Sequence, residues 1–203
     1  EALSVDPSDV IVASTGVIGQ VLPIEPIRQG APALAVSLSA QGSALAARAI
    51  MTTDTVEKEV AVELEIGGKP VRMGGICKGS GMIHPNMCTM LCFLTTDAAV
   101  SAPVLEQALR GVVADTFNMV SIDGDTSTND TVTIMASGLA GNPEIRPGSP
   151  EYKAFYAALK AMCVRLARQM AKDGEGATKL LVCRVSGAKD KAAARQVAKG
   201  VVC

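Results

Sequence analysis

The apolar and polar positions of the chain follow two different periods, and these periods predict its strands and helices. Between residues 57 and 66, Lys58, Val60, Val62, Leu64 and Ile66 recur at every second position, as in a half-buried strand. The Gly-Gly-Lys at residues 67–69 is a hairpin turn signal, so residues 70–78 should return as the partner strand. Apolar runs predict further strands at residues 9–14, 89–94, 119–122, 131–136 and 179–185.

A helical period dominates elsewhere. Residues 151–172 place an apolar stripe on one face, formed by Phe155, Leu159, Met162, Leu166 and Met170. A helical turn is predicted at residues 23–28, and helices at residues 43–51, 103–117 and 190–202. Residues 138–150 are rich in Gly and Pro, which predicts a surface loop and a subdomain hinge. Hairpins mixed with helices predict an α/β fold of the layered α+β kind, with mixed sheets packed against helices.

The composition argues against two classes of partner. The formal net charge is −1 and there is no basic run, so nucleic acid is not an expected partner. Three Phe, two Tyr and no Trp leave few rings on which bases could stack. No apolar run approaches the roughly 20 residues of a membrane-spanning helix, so no membrane partner is expected either.

The six cysteines favour a reducing, cytoplasmic setting. They form no Cys-x-x-Cys pair, and four lie in apolar segments, where a free thiol behaves as a small hydrophobe. A chain of 203 residues can build a core without disulfides. No signal peptide is visible. The start at Glu1 and the end at Cys203, inside a helix-like segment, favour a piece of a longer chain.

Thr89 follows a loop of Gly, His, Pro and Asn and begins an apolar run. A threonine hydroxyl becomes a useful nucleophile when a base lies beside it, and at a chain N-terminus its own α-amine can be that base. The bond to Cys88 would first have to break, by attack of the hydroxyl on the preceding carbonyl in a strained backbone. From the residues alone, a simple strand threonine is the blander interpretation, because threonine favours strands.

For several other residues, the sequence alone does not decide between a functional and a structural role. Thr15 and Gly16 could form an oxyanion hole or only a tight turn. Lys78 could hold a carboxylate, and Glu175, between two glycines, could hold an ammonium group, or both could be solvated. The only histidine, His84, lacks a Cys or Ser partner at motif spacing, which favours a structural role and excludes a His-rich metal site.

The loop from Asp123 to Asp130 has two further interpretations. Asp123, Asp125 and Ser127 after an apolar run resemble the aspartyl-phosphate motif of haloacid-dehalogenase-type phosphotransferases, in which the first Asp is the nucleophile and Mg²⁺ binds nearby. A strand rather than a helix is predicted next, which argues against this enzyme class. The spacing also resembles a Ca²⁺ loop, but the required glycine and glutamate are missing.

Five segments, taken in order, resemble one known family. They are residues 14–19 (STGVIG), 49–55 (AIMTTDT), 78–91 (KGSGMIHPNMCTML), 120–132 (VSIDGDTSTNDTV) and 173–179 (DGEGATK). They resemble the ornithine acetyltransferase family, also called bifunctional glutamate N-acetyltransferase, over nearly the whole chain. The resemblance implies a self-processing acyltransferase fold that moves an acetyl group from N-acetylornithine to glutamate in arginine biosynthesis. The family does so by a ping-pong route through an acetyl-threonine.

The resemblance also implies roles for single residues. Thr89 would be the nucleophile, and self-cleavage would occur between Cys88 and Thr89. Thr15 and Gly16 would form the oxyanion hole. The residues implied to contact substrate are Thr52, Lys78, Thr89 and Glu175. No metal or cofactor is implied, and acetyl-CoA stays open as an additional acetyl donor.

Cleavage would divide the chain into residues 1–88, the end of an alpha chain, and residues 89–203, the start of a beta chain. The two would form a heterodimer and a higher oligomer. This chain departs from the family at Cys88, where the family usually has Ala. It also lacks the family's later segment past Cys203, which brings further substrate-binding residues.

Two alternatives remain beside acetyl transfer. One is a self-cleaving N-terminal-nucleophile amidase or aminopeptidase, in which water accepts the acyl group. The other is a catalytically incomplete structural fragment.

Overall fold

The computed structural model describes residues 2–84 and 90–203 of the chain. Within these residues, five α-helices and four strands follow one another along the sequence. Helices α1 (Glu25–Val36) and α2 (Ser43–Ala49) precede strands β1 (Lys58–Ile66), β2 (Lys69–Lys78) and β3 (Leu91–Thr96). Helix α3 (Ala102–Asp115), strand β4 (Thr131–Ala136), helix α4 (Pro150–Lys172) and helix α5 (Lys191–Val202) complete the order.

The strands form a mixed sheet in the order β1-β2-β3-β4. The pairs β1–β2 and β2–β3 are antiparallel, whereas β3 and β4 are parallel. Gly67 and Gly68 both have positive φ, which is what the predicted tight hairpin between β1 and β2 requires. The predicted α/β class, with a mixed sheet and packed helices, is confirmed.

The core lies between one face of the sheet and α4. The stripe predicted for this helix, Phe155, Leu159, Met162, Leu166 and Met170, is fully buried. It packs in one cluster with sheet residues such as Val71, Met73 and Leu94. Ser149 caps the helix by accepting a hydrogen bond from the Tyr152 N–H, and Pro150 occupies its first turn. The sheet and α4 together hold the strand ends in fixed positions.

Three buried cysteines belong to this core as free thiols: Cys77, Cys92 and Cys163. Burial raises the pKa of the Cys77 and Cys163 thiols to about 12, so both stay protonated near neutral pH. They behave as the small hydrophobes that the sequence predicts.

The adjacent glycines Gly74 and Gly75 lie inside β2, and glycines inside a strand predict a bulge or a close approach of another backbone. The structure has no bulge at this position. The pairing of β2 with both neighbours runs through the two glycines without an extra residue. A Cβ on Gly75 would lie 2.4 Å from Leu94 Cδ2 and 3.4 Å from Leu166 Cδ1. Gly75 therefore makes room for side chains rather than for a backbone.

Three predicted strands are wrong. In residues 9–14, Val10, Ile11 and Val12 are exposed, and no strand of the described chain pairs with them. Residues 117–119 form a 3-10 turn and residues 120–122 are irregular. Residues 179–185 are irregular, with Leu181 and Val182 exposed. An apolar run becomes a strand only where another strand supplies hydrogen bonds, and the run itself does not reveal that partner.

Helices α2 to α5 begin and end close to their predicted positions. Helix α1 is longer than the turn predicted at residues 23–28, because it continues to Val36. The loop at residues 138–150 pairs Ile145 with Val100, and Ile145 is buried in the core. The hinge in this loop stays a prediction. The division at residues 88 and 89 also stays a prediction, since residues 85–89 lie outside the described part of the chain.

Candidate active site

Three loops meet at the end of β2, where the chain enters the candidate site. The Gly79 N–H donates to Asp54 Oδ1 at 2.7 Å, which joins β2 to the loop before β1. The Glu175 N–H donates to the Ser80 carbonyl at 2.7 Å, which joins β2 to the loop after α4. The hydroxyls of Thr53 and Ser80 are 2.6 Å apart. The predicted substrate residues Thr52 and Glu175 therefore lie on loops that are bonded to the residues directly after Lys78, the last residue of β2.

A buried ammonium group lies beneath these loops. The Lys58 side chain is 0% exposed, and its Nζ lies 2.6 Å from Asp54 Oδ1 and 2.6 Å from Asp173 Oδ2. Asp173 also accepts hydrogen bonds from the Thr55 N–H, at 3.1 Å, and from the Thr55 hydroxyl. One lysine thus fixes the carboxylates of two separate loops.

Both carboxylates stay ionised despite their surroundings. Burial raises the pKa of Asp54, but the Gly79 N–H and the Lys58 ammonium outweigh it, and the net pKa lies below the ordinary value. For Asp173, burial likewise acts upward, and the hydrogen bonds from Lys58 and Thr55 bring the net pKa down. Asp54, Lys58 and Asp173 therefore form a charged triad at neutral pH.

Lys78 is the last residue of β2, at the point where the three loops meet. It is 3% exposed, and burial lowers the pKa of its ammonium group below the ordinary value. The carboxylates of Asp54, Asp130 and Glu175 partly offset this effect by favouring the charged form. Because the Glu175 N–H is bonded to the Ser80 carbonyl, Glu175 lies on a loop beside Lys78, and their roles toward a substrate stay predictions.

Thr15 and Gly16 lie in the irregular segment before α1. They line an open cavity of about 440 Å³, together with Thr128 and Asn129 of the loop that ends at Asp130. Their placement next to this loop is a finding, whereas their role as an oxyanion hole stays a prediction.

Cys88 and Thr89 lie outside the described residues, but both flanks of their segment are described. On one side, Ile83 is buried and His84 Nδ1 lies 3.4 Å from the Ser121 hydroxyl. On the other side, the Met90 N–H donates to Asp130 Oδ1 at 2.9 Å. The roles of Cys88 and Thr89 stay predictions.

The phosphotransferase and calcium interpretations of residues 123–130 lose their basis. Oδ1 of Asp123 accepts from the Ile83 N–H at 2.8 Å, and Oδ2 accepts from the Met82 N–H. A carboxylate whose two oxygens both accept hydrogen bonds from backbone N–H groups is poorly placed to attack a phosphoryl group. Among the described residues, no group of three or more His, Cys, Asp or Glu side chains could hold a metal ion.

The sequence reasoning missed the triad of Asp54, Lys58 and Asp173. A signal was present, because the period of β1 places Lys58 on the same face as Val60 and Val62. A lysine at an inward position of a strand needs a buried anionic partner. Asp54 lies four residues before Lys58, outside the strand, and Asp173 comes from a distant loop, so the period alone could not identify either partner.

Comparison with known proteins supplies the family. The model of the ArgJ family matches residues 1–203. The arginine biosynthesis bifunctional protein ArgJ of Symbiobacterium thermophilum is 56% identical over 201 residues, which cover 99% of this chain and 50% of that protein. The protein of the same name from Geobacillus stearothermophilus is 54% identical over 193 residues, covering 95% of this chain and 47% of that protein.

A solved structure agrees with these matches. The crystal structure of the arginine biosynthesis bifunctional protein ArgJ from Bacillus halodurans is 49% identical, with a TM-score of 0.53. The superposed part covers 54% of this chain and 52% of that one. The chain has the α/β fold of an ArgJ structure and spans about half the length of the curated relatives it matches. It belongs to the ArgJ family.

No helix within the described residues is long and apolar enough to cross a membrane.

Proposed function

We propose that this chain supplies the nucleophile and part of the substrate pocket of a glutamate N-acetyltransferase that uses N-acetylornithine as the acetyl donor. The family assignment and the names of the relatives, which place them in arginine biosynthesis, support this proposal. The observation that carries it is the hydrogen bond of 2.7 Å from the Glu175 N–H to the Ser80 carbonyl, which places the loop of Glu175 beside the end of β2, where Lys78 lies. Both substrates are amino acids, so one pocket must recognise a carboxylate in each.

The reaction follows from the groups that this site offers. After self-cleavage, Thr89 Oγ attacks the acetyl carbonyl, with the α-amine of Thr89 taking the hydroxyl proton. The Thr15 hydroxyl and the Gly16 N–H stabilise the oxyanion, the C–N bond breaks, and ornithine leaves with the proton. The neutral α-amine of glutamate then attacks the acetyl ester and the ester C–O bond breaks. The proton lost by the glutamate nitrogen passes through the Thr89 α-amine to Thr89 Oγ, which restores the hydroxyl. The chemistry requires no metal or cofactor, and acetyl-CoA could replace N-acetylornithine in the first half-reaction.

The same proposal covers the assembly and the compartment. Cleavage between Cys88 and Thr89 gives an alpha and a beta chain that stay together as a heterodimer, within a higher oligomer. The strands on either side of the bond support this, since β2 and β3 pair along their length and would hold the pieces together. The free buried thiols suit the reducing cytoplasm.

Product analysis tests the proposal. The protein, expressed from its complete coding sequence, is incubated with N-acetylornithine in the presence and absence of glutamate. We expect N-acetylglutamate and ornithine in equal amounts, and an intact-mass spectrum with two pieces split at Cys88–Thr89. Ornithine and acetate formed at the same rate without glutamate would instead identify an amidase. A single uncut piece with no ornithine release would overturn the proposal.

Gly81→Ala tests the assignment of Glu175 to the substrate pocket. A Cβ on Gly81 would lie 2.7 Å from Glu175 Cδ and 2.7 Å from its Oε1, so the carboxylate must move. Loss of one hydrogen bond to a charged group costs about 1.5–3 kcal/mol, so we expect KM for N-acetylornithine to rise by about tenfold or more. The measurement is steady-state kinetics.

Gly30→Ala is the matched control for this variant. Gly30 lies in α1, and a Cβ there would meet nothing within 4 Å. Its KM should equal that of the unmodified protein. If Gly81→Ala also leaves KM unchanged, Glu175 does not contact the substrate.

A further inference from the structure

The segment before the predicted cleavage bond is tied to the beginning of the loop at residues 123–130. The Asp123 carboxylate accepts hydrogen bonds from the N–H groups of Met82 and Ile83, the latter at 2.8 Å. The Ile122 N–H donates to the Ile83 carbonyl at 2.7 Å. Met82 has a φ of 54°, a left-handed conformation that a methionine rarely adopts, and the bond to Asp123 helps to hold it there.

The segment after the bond is tied to the end of the same loop. Asp130 Oδ1 accepts from the Met90 N–H at 2.9 Å, and the Thr131 N–H donates to the Met90 carbonyl at 3.0 Å. Met90 itself is 1% exposed. The N–H and the carbonyl of Met90 are therefore both hydrogen-bonded before β3 begins.

We propose that residues 123–130 act as a clamp on the self-cleavage segment, with Asp123 and Asp130 as its two positioning residues. Asp123 holds the upstream flank at Met82 and Ile83, and Asp130 holds the downstream flank at Met90. The inference deepens the function proposed above and rests on self-cleavage at Cys88–Thr89.

A clamp of this kind has a clear physical purpose. In self-cleavage a hydroxyl attacks the carbonyl of its own preceding residue, which requires a backbone geometry that a free loop rarely visits. Fixing both flanks of the segment reduces the conformational entropy that must be lost before the hydroxyl can reach the carbonyl. The two carboxylates act through the backbone and need not touch the reacting atoms.

The two aspartates differ in a way that makes the clamp testable. Asp123 uses both oxygens to accept N–H groups, so an asparagine would place an amide nitrogen against one of these donors. Asp130 uses only Oδ1, while its Oδ2 is buried and accepts no hydrogen bond within the described residues. An asparagine at position 130 can therefore retain Oδ1 as the acceptor for the Met90 N–H, with its amide nitrogen in the place of Oδ2.

The experiment compares rates of self-cleavage in the protein expressed from its complete coding sequence. Cleavage at Cys88–Thr89 is followed by intact mass in the unmodified protein and in variants of Asp123 and Asp130. We expect Asp123→Ala, Asp123→Asn and Asp130→Ala to cleave at least about tenfold more slowly, the scale for misplaced reacting groups. Asp130→Asn should cleave within about threefold of the unmodified rate, because its clamp bond is retained.

Asp125→Ala is the matched control. Asp125 lies in the same loop and is exposed, and its carboxylate makes no hydrogen bond within the described residues. It should cleave at the unmodified rate. The clamp is wrong if Asp123→Ala and Asp130→Ala cleave normally, or if Asp130→Asn is as slow as Asp130→Ala.

Amide hydrogen exchange separates the clamp from the proposed function. In an uncleavable Thr89→Ala background, Asp123→Ala should speed exchange at Met82 and Ile83, and Asp130→Ala should speed it at Met90. If these changes in exchange occur but the unmodified protein never cleaves, self-cleavage is refuted, and the anchoring role of Asp123 and Asp130 is retained. Unchanged exchange in both variants would refute the clamp, whatever the state of cleavage.

Discussion

Thr89→Ala is expected to abolish both self-cleavage and acetyl transfer. Alanine has no hydroxyl to attack the carbonyl of Cys88, so the chain stays in one piece and no N-terminal amine forms. Without the hydroxyl, no acetyl ester can form either. Acetyl transfer should fall by at least about 10³-fold, because removal of a covalent nucleophile leaves only the binding and electrostatic contributions.

Two measurements check this prediction. Intact mass reports the cleavage, and transfer of an isotopically labelled acetyl group from N-acetylornithine to glutamate reports the activity. Thr89→Ser, which retains a hydroxyl, should cleave and transfer measurably. Thr95→Ala changes an exposed threonine of β3 and serves as the control, which should behave as the unmodified protein. Acetyl transfer by the Thr89→Ala variant at the normal rate would show that the nucleophile is elsewhere.

The sequence predicts the fold well where one period persists over many residues. The period of two in β1 and the helical stripe of α4 both occur in the structure, because each buries one continuous apolar face. Short apolar runs are less informative. Residues 9–14 and 179–185 look like strands but pair with none in the described chain.

As with the fold, only part of the candidate site can be predicted from the sequence. Lys78 and Glu175 were predicted from their motifs, and the structure brings their two loops together through Ser80. The contacts beneath them could not be predicted, because Asp54 and Asp173 are more than a hundred residues apart and meet only through Lys58. The alternation of residues along a strand identifies a side chain that must be buried. Only the tertiary structure shows which charged groups lie beside that side chain.

Lys58 therefore gives the second large expected effect, which is on stability. Lys58→Met keeps most of the side-chain volume but leaves two buried carboxylates, Asp54 and Asp173, without their cation. Breaking a buried ion pair by removing one partner costs about 3–5 kcal/mol, so we expect a loss of that size in the free energy of unfolding. Urea denaturation of the Lys58→Met variant and the unmodified protein measures it.

The pH dependence of this loss has a definite sign. In the unmodified protein the pKa values of Asp54 and Asp173 are lowered, so the stability that they contribute is present at neutral pH. Without Lys58, one cause of the lowered pKa values is removed, so both pKa values should rise and less stability should be lost when the carboxylates are protonated. The deficit of Lys58→Met should therefore shrink as pH falls below about 5, towards the ordinary carboxyl pKa near ~4.

An exposed ion pair of the same sheet gives the matched control. Arg72 and Glu63 are paired at 2.8 Å on β2 and β1, but their side chains are 73% and 57% exposed. Arg72→Met should change the free energy of unfolding by at most about 1 kcal/mol, because water replaces the lost partner. Adding Asp54→Asn and Asp173→Asn to Lys58→Met should recover part of its loss, since the uncompensated charges disappear. A Lys58→Met variant no less stable than Arg72→Met would show that the triad does not hold the loops of the site together.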